Sequence, residues 1–306
     1  MSVVGESYLV GLLGEGVLPS LTPPLHEREA DELGLRYLYR PIDLLALDGA
    51  GAPGAPGGTG DLDATIARVL DAAALLGFDA LNITHPCKQR VLAHLDEVTP
   101  SASAIGSVNT VLLADGRRVG HNTDVTGFAS ALRDGLPGAD LGAVVVIGAG
   151  GAGAAVAAAL LDAGAGRLTI IDLDASRAGA LAGDLTARFP GATIDSAAAD
   201  ALAARLAGPA SAVTGVVNAS FAGMHTHPGI PLDPGLLHAG LWVADIVYRP
   251  LDTELLRAAR AAGCSTLDGG GMAVGQAADA FRLITGVEPD RDRMRPHFAA
   301  MIREGR

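Results

Sequence analysis

The stretch Val144-Val145-Val146-Ile147-Gly148-Ala149-Gly150-Gly151-Ala152-Gly153 decides the fold. Its β-branched run favours an extended strand. The glycine cluster permits a sharp turn and lets backbone N–H groups come close to an anion at a helix N-terminus. Ala154-Ala155-Val156-Ala157-Ala158-Ala159-Leu160-Leu161 then reads as that helix. Strand, tight turn and helix start are the context a dinucleotide-binding fingerprint requires. Leu168-Thr169-Ile170-Ile171 is the next strand and ends at Asp172. That carboxylate falls roughly 20 residues past the glycines, where one accepts from the ribose hydroxyls of a dinucleotide. Gly148, Ala149, Gly150, Gly151, Ala152, Gly153 and Asp172 are therefore candidate cofactor contacts.

Downstream, strands and helices alternate. A helix is expected over 175–189, a weak strand over 192–194, a helix over 197–206 and strands over 213–218 and 241–248. A helix over 253–262, a short strand over 265–267, a flexible glycine crossing at 269–271 and helices over 272–284 and 293–303 complete the chain. Ligands of open α/β sheets sit beyond the carboxyl ends of the strands. Ala219 and Gly269 follow two such ends, Val247 lies within the last two residues of a third strand, and all three join the cofactor candidates.

Upstream, strands are expected over 8–13 and 35–40, with a polar loop between them. Ser20 and Thr22 are two residues apart, so an extended backbone would point both hydroxyls one way, fit to grip a carboxylate. Pro23-Pro24 equally marks a helix start with a hydroxyl cap, and both readings stand. Residues 49–60 are rich in Gly, Ala and Pro and read as a surface loop. A helix over 62–77 feeds a strand over 80–84, and Lys88 follows a proline corner, facing a cleft or solvent. Residues 106–113 read as a strand carrying Asn109, and Asp115-Gly116 as a hairpin turn. Residues 125–132 read as a helix that Thr123 or Asp124 would cap.

With 306 residues the chain can form two domains. Hydrophobic residues make up 49% and aromatics 4%, so the core must rely on small and branched aliphatics. A formal net charge of −12 opposes binding to nucleic acid or an anionic membrane surface. Cys87 and Cys264 show neither metal spacing nor a disulfide framework, which suits a cytoplasmic protein without a metal. The N-terminus lacks a basic segment followed by an apolar run, and no run of about 18 apolar residues suggests a membrane span.

Several stretches together resemble the shikimate dehydrogenase family, most of all its NAD-using quinate/shikimate dehydrogenase branch. They are Ser20-Leu21-Thr22-Pro23, Asn82-Ile83-Thr84-His85-Pro86-Cys87-Lys88-Gln89, Gly106-Ser107-Val108-Asn109-Thr110, Gly120-His121-Asn122-Thr123-Asp124-Val125-Thr126-Gly127-Phe128, the glycine turn, Asp245-Ile246-Val247-Tyr248-Arg249-Pro250 and Gly275-Gln276-Ala277-Ala278-Asp279-Ala280-Phe281. The resemblance implies an open α/β substrate domain over 1–121 completed by helices in 272–306, a Rossmann-type domain over 122–271, and a cleft between them. It implies Lys88 and Asp124 as the catalytic pair and Ser20 and Thr22 as a carboxylate clamp. Thr84, Asn109, Tyr248 and Gln276 would hydrogen-bond the ring substrate. Hydride would pass between C3 of quinate or shikimate and NAD. Lys88 would stabilise charge on the C3 oxygen and carry its proton if burial lowers its pKa more than Asp124 raises it.

NADP-preferring relatives carry an Asn-Arg-Thr-x-x-Arg-like stretch where this chain has Asp172-Leu173-Asp174-Ala175-Ser176-Arg177. Two carboxylates would repel a 2′-phosphate, so NAD is expected over NADP, with Arg177, a candidate cofactor contact, left either to salvage weak NADP use or to pair with the nearby carboxylates. Cys87 stands where an aromatic or histidine is common, Phe221 where proline is common, and Thr22 where strict shikimate enzymes have serine. A biosynthetic NADP-using enzyme, an aminoshikimate-type paralogue and a catalytically silent NAD-binding sensor remain as alternatives. The expected partner is a small cyclic hydroxy acid, and a second copy of the chain stays open as another.

Overall fold

The computed structural model describes residues 7–47, 61–207 and 213–304. The loop expected over 49–60 and the opening residues 1–6 lie outside them. The chain divides into two compact units, Met1–Thr123 with Ala277–Arg306, and Asp124–Gln276. The first runs through β1 (Ser7–Gly14), α1 (Thr22–Glu32), β2 (Arg36–Asp43), α2 (Leu62–Leu75), β3 (Ala80–Ile83), the single turn α3 (Cys87–Arg90), β4 (Glu97–Val98), α4 (Pro100–Ala104), β5 (Thr110–Ala114) and β6 (Arg117–His121). The second holds α5 (Asp124–Gly135), β7 (Ala143–Ile147), α6 (Gly151–Asp162), β8 (Arg167–Asp172), α7 (Ala175–Arg188), β9 (Thr193–Ala198), α8 (Leu202–Ala207), β10 (Gly215–Asn218), β11 (Trp242–Asp245), α9 (Glu254–Ala261), β12 (Ser265–Leu267) and the start of α10 (Gly270–Thr285). The rest of α10 and α11 (Arg291–Arg303) belong to the first unit.

In the first unit the strand order is β2-β1-β3-β5-β6-β4. β1 runs parallel to β2 and β3, whereas β5 runs antiparallel to β3 and β6. Asp115 and Gly116, both with positive φ, join β5 to β6 in a two-residue hairpin, as their sequence predicts. Leu13, Leu44, Ile66, Leu70, Leu81 and Ile83 pack with Cys87, Val91, Val108 and Val111 in a core cluster. The edge strand β2 is guarded by α1: the Glu27 carboxylate accepts the Tyr39 N–H at 2.9 Å. Buried Glu29 accepts from Arg293 Nη2 at 2.6 Å, Arg293 Nε at 3.0 Å and the Asp290 N–H at 2.7 Å. That cluster holds α11 onto α1.

The strand expected over 106–113 begins only at Thr110. Gly106 (φ 58) instead closes α4, with the Ser107 N–H returning to the Ala102 carbonyl at 3.2 Å.

The second unit is a six-stranded parallel sheet in the order β12-β11-β10-β7-β8-β9. The order reverses between β7 and β10, the switch point of a doubly wound sheet. Val145, Ile147, Ile171, Val216, Val243, Leu255 and Leu256 form a core cluster. Three expectations fail locally. β9 extends to Ala198 because it pairs with β8 over its whole length, so the helix expected from 197 starts at Leu202. β11 ends at Asp245, before the expected 248, because that carboxylate accepts the Val247 N–H at 3.0 Å and turns the chain out of the sheet. Gly270 and Gly271 open α10 rather than forming a flexible crossing, with Asp268 accepting the Gly270 N–H at 2.9 Å.

Within this unit α5 and α10 cross at two glycines. A Cβ on Gly127 would lie 2.7 Å from the Gln276 nitrogen, and one on Gly275 would lie 3.0 Å from the Gly127 Cα. Gly127→Ala should therefore lower stability by about 1–3 kcal/mol, since backbone must move to admit the methyl; an unchanged denaturant midpoint would contradict this crossing.

Two buried groups give the units opposite responses to acid. Burial lowers the His26 pKa from 6.5 to about 3. The unfolded chain then binds the extra proton, so this stability is present above pH 6.5 and is lost as pH falls, by about 2 kcal/mol at pH 5. Burial raises the Asp245 pKa from 3.8 to about 6, against hydrogen bonds from Thr253, Val247 and Asn218. Here the folded state binds the proton, so stability is gained as pH falls through 6, by about 1 kcal/mol at pH 5. Hydrogen exchange, corrected for intrinsic rate, should show weaker protection in β1 and β2 and stronger protection in β10 and β11 at pH 5 than at pH 7.5. A change of the same sign in both regions would contradict the assignment.

Candidate active site

In the first unit the segment before α1 is not extended. Leu21 is already helical (φ −86°, ψ −7°), and a proline stands in the first turn. The same-side argument for Ser20 and Thr22 therefore fails, and Ser20 Oγ accepts the Thr22 N–H at 3.3 Å. Both side chains remain partly exposed.

Thr84 follows β3 and hangs from β1, its N–H donating to the Leu13 carbonyl at 2.9 Å. Gly14 makes room for it: a Cβ there would lie 2.3 Å from Thr84 Cγ2. The Thr84 carbonyl accepts the Cys87 N–H at 2.8 Å and so starts α3. Cys87 is fully buried in the core, and burial pushes its thiol up to about 12. It is a packing residue that anchors the turn, leaving the next residue, Lys88, half-buried. The Lys88 carbonyl accepts the Val108 N–H at 2.9 Å. This bond joins the lysine turn to the segment bearing Asn109.

Asn109 is buried and its amide has a fixed orientation. Its Oδ1 accepts the Thr123 N–H at 2.8 Å and the Thr110 hydroxyl at 3.1 Å. Its Nδ2 donates to Thr123 Oγ1 at 2.9 Å. Thr123 is thus a partner of Asn109 rather than only a helix cap. Thr110 and Asn82 were not singled out by sequence, although both lie inside recognisable motifs; a polar residue at an inward strand position among aliphatics is the signal that was available.

In the second unit Asp124 is buried at the start of α5. Gln276 is half-buried on α10, with Nε2 donating to the Ala273 carbonyl at 3.0 Å. Tyr248 follows β11; burial raises its phenol pKa and Arg249 pulls it back.

The glycine turn is closely packed. Gly148 has φ 109°, and a Cβ on it would lie 2.7 Å from the Ala219 carbonyl oxygen. A Cβ on Gly153 would lie 1.9 Å from the Gly148 oxygen. Gly150 caps α6 without any side-chain hydrogen bond, and Gly151 and Ala152 open that helix. The Arg177 Nη2 lies 3.5 Å from where a Gly150 Cβ would stand. Asp172 reaches the same turn: Oδ2 accepts the Ala149 N–H at 2.7 Å and Oδ1 the Asp174 N–H at 2.9 Å. Asp174 in turn caps α7 through the Ser176 and Arg177 N–H groups. Gly269 packs on the neighbouring strand end, where a Cβ would lie 2.4 Å from the Ile246 oxygen and 2.6 Å from that of Val247. Gly148, Gly150, Gly153, Asp172, Arg177 and Ala219 are thus brought together, with Val247 and Gly269 a separate pair. These residues fit a dinucleotide: a close-packed glycine turn without side chains, a helix start with no side-chain cap and one arginine at the turn.

Among the described residues no group of three or more His, Cys, Asp or Glu side chains could hold a metal ion, and no helix is long and apolar enough to cross a membrane.

The shikimate dehydrogenase substrate binding domain family matches residues 12–111, and the shikimate 5'-dehydrogenase C-terminal domain family matches residues 269–296. A shikimate dehydrogenase (NADP(+)) of Pseudarthrobacter chlorophenolicus is 57% identical over 99% of this chain and 98% of its own length. A quinate/shikimate dehydrogenase (NAD(+)) of Corynebacterium glutamicum is 47% identical over 97% of this chain and 100% of its own. The structure of quinate dehydrogenase from Corynebacterium glutamicum in complex with NAD matches with a TM-score of 0.84 at 47% identity, covering 96% of this chain and 99% of that one. Likeness of this order over nearly the full length means that the chain belongs to the shikimate dehydrogenase family.

Proposed function

We propose that this oxidoreductase moves a hydride reversibly between C3 of quinate or shikimate and NAD, giving 3-dehydroquinate or 3-dehydroshikimate. The observation that carries the reading is the Val108–Lys88 hydrogen bond, which ties the lysine turn to the fixed amide of Asn109. A cation and an oriented amide donor then stand on adjoining backbone, as recognition of a polyhydroxylated ring requires.

In this reading residues 12–111 lie in the substrate domain and the parallel sheet of Asp124–Gln276 is the nucleotide domain. Ser20 and Thr22 hold the ring carboxylate through their hydroxyls. Thr84, Asn109, Tyr248 and Gln276 hydrogen-bond the ring hydroxyls and carboxylate. Lys88 donates to the C3 oxygen and stabilises charge there, and Asp124 orients the lysine and the hydroxyl. The glycine turn and the α6 N-terminus hold the pyrophosphate, with Val247 and Gly269 beside the nicotinamide end. The bound nicotinamide supplies the hydride acceptor. The two buried free thiols suit a reducing cytoplasm, and a homodimer is compatible with the reading.

NAD is proposed over NADP on charge. Asp172 and Asp174 flank Leu173, whose side chain is 94% exposed and carries no cation for a 2′-phosphate. NADP is the second reading, favoured by the 57% identity to a relative named for that cofactor.

Initial rates with quinate and shikimate, each with NAD and NADP, test both levels. Turnover of a ring acid with higher kcat/KM for NAD is expected; no oxidation in any of the four pairs would defeat the function, and equal efficiency with both cofactors would defeat the preference. Lys88→Ala should lower kcat by roughly 100-fold or more, and near-normal turnover would remove Lys88 from the chemistry. Asp172→Asn combined with Leu173→Arg should raise the NADP/NAD efficiency ratio by about tenfold or more, equivalent to about 1.4 kcal/mol.

A further inference from the structure

We propose that Asn82 and Thr110 are positioning residues that orient and polarise the Asn109 amide from beneath; this rests on the reading of Asn109 as a substrate contact. They are direct cross-strand partners in the β3–β5 register, and both are buried. Their hydrogen bonds run in one direction. The Tyr39 hydroxyl, on β2, donates to Asn82 Oδ1. That turns Asn82 Nδ2 away from Tyr39, where it donates to Thr110 Oγ1 at 2.9 Å and to the Asn109 carbonyl at 3.3 Å. Thr110 Oγ1 has one hydrogen, and with Asn82 occupying it as an acceptor that hydrogen goes to Asn109 Oδ1 at 3.1 Å. The Thr123 N–H donates to the same oxygen from the other side at 2.8 Å.

Two consequences follow for the amide. A flipped Asn109 would set its NH2 against two donors, so the oxygen stays down and the nitrogen remains the donor. Two donors on the oxygen also withdraw charge from the amide, which strengthens its N–H groups as donors, as linked hydrogen bonds do. Asn82 has both ends of its amide engaged within this ladder, so its part is to set Thr110 rather than to hold the ring acid.

The test is a double-mutant cycle read by calorimetric Kd for the ring acid and, separately, for the dinucleotide. Thr110→Val should raise the ring-acid Kd about fivefold to tenfold, the worth of one hydrogen bond of about 1 kcal/mol, and leave the dinucleotide Kd unchanged. Thr110→Ser should restore the wild-type value to within about twofold. In an Asn109→Ala background the same Thr110→Val change should alter the ring-acid Kd by less than about twofold, because its target is gone. Tyr39→Phe, read in the same cycle, serves if Thr110→Val fails to fold by circular dichroism. An unchanged ring-acid Kd in Thr110→Val, an equal rise in both backgrounds, or a parallel rise in the dinucleotide Kd would overturn the positioning role alone. Wild-type protein that neither binds nor oxidises quinate or shikimate would overturn the functional reading, and with it the role given to Asn109.

Discussion

A carbonyl oxygen stands where the side chain of residue 153 would begin. The Gly148 oxygen is 1.9 Å from that position, so α6 can start on the end of β7 only if residue 153 has no side chain. The second unit depends on this approach. With α6 seated there, Gly148 must turn through positive φ and pass close to the Ala219 carbonyl at the end of β10. The Asp172 carboxylate then closes the other flank by binding the Ala149 N–H. At the ends of β7, β8 and β10 these close contacts to backbone add to the core packing of Ile147, Ile171 and Val216. A surface of backbone amides is what lets an anion approach closely.

The first unit relies on a different constraint. Its sheet comes from the beginning of the chain, yet α11 comes from its end, and a buried carboxylate joins them. Glu29 is 1% exposed and accepts three hydrogen bonds, two from Arg293 and one from the Asp290 backbone. Breaking such a pair from one side leaves an uncompensated buried charge and typically costs about 3–5 kcal/mol. Its dependence on partners 261 and 264 residues apart explains why nothing in the local sequence near Glu29 announces it.

What the sequence made legible was local. The strand, glycine turn and helix at 144–161, the Asp115-Gly116 hairpin and the run of alternating elements follow from propensity and turn chemistry, and the ordered motifs carried the family. The misses are places where a distant partner or a side-chain–backbone bond overrides propensity. β9 runs into an alanine-rich segment because β8 offers a full ladder. β11 stops early because Asp245 binds the Val247 N–H. Gly106 and Ser107 look like the start of a strand but close a helix, and the sheet pairing begins only with Asn109, whose N–H donates to the His121 carbonyl. At the candidate site, residue identities were legible and orientations were not. Ser20 and Thr22 do not share an extended backbone, and the ladder from Tyr39 to Asn109 needs four strands, β2, β1, β3 and β5, in register before it exists.

Asp172 shows how a fold can supply its own reason for a residue that looks functional. Its two oxygens each accept a backbone N–H, from Ala149 and from Asp174. An asparagine could accept only one of these and would set its NH2 against the other. The carboxylate is therefore accounted for by the turn before any ribose is considered, and Asp174 is accounted for as the cap of α7. What survives as an argument for NAD is their charge. Two unit charges about 4 Å apart in water-like surroundings differ by about 1 kcal/mol, and Arg177 at Gly150 offsets part of the repulsion. A 2′-phosphate would then be disfavoured by about fivefold or less rather than excluded. A preference of that size can be reversed by few substitutions, which reconciles an acidic turn with relatives at 57% and 47% identity that are named for different cofactors.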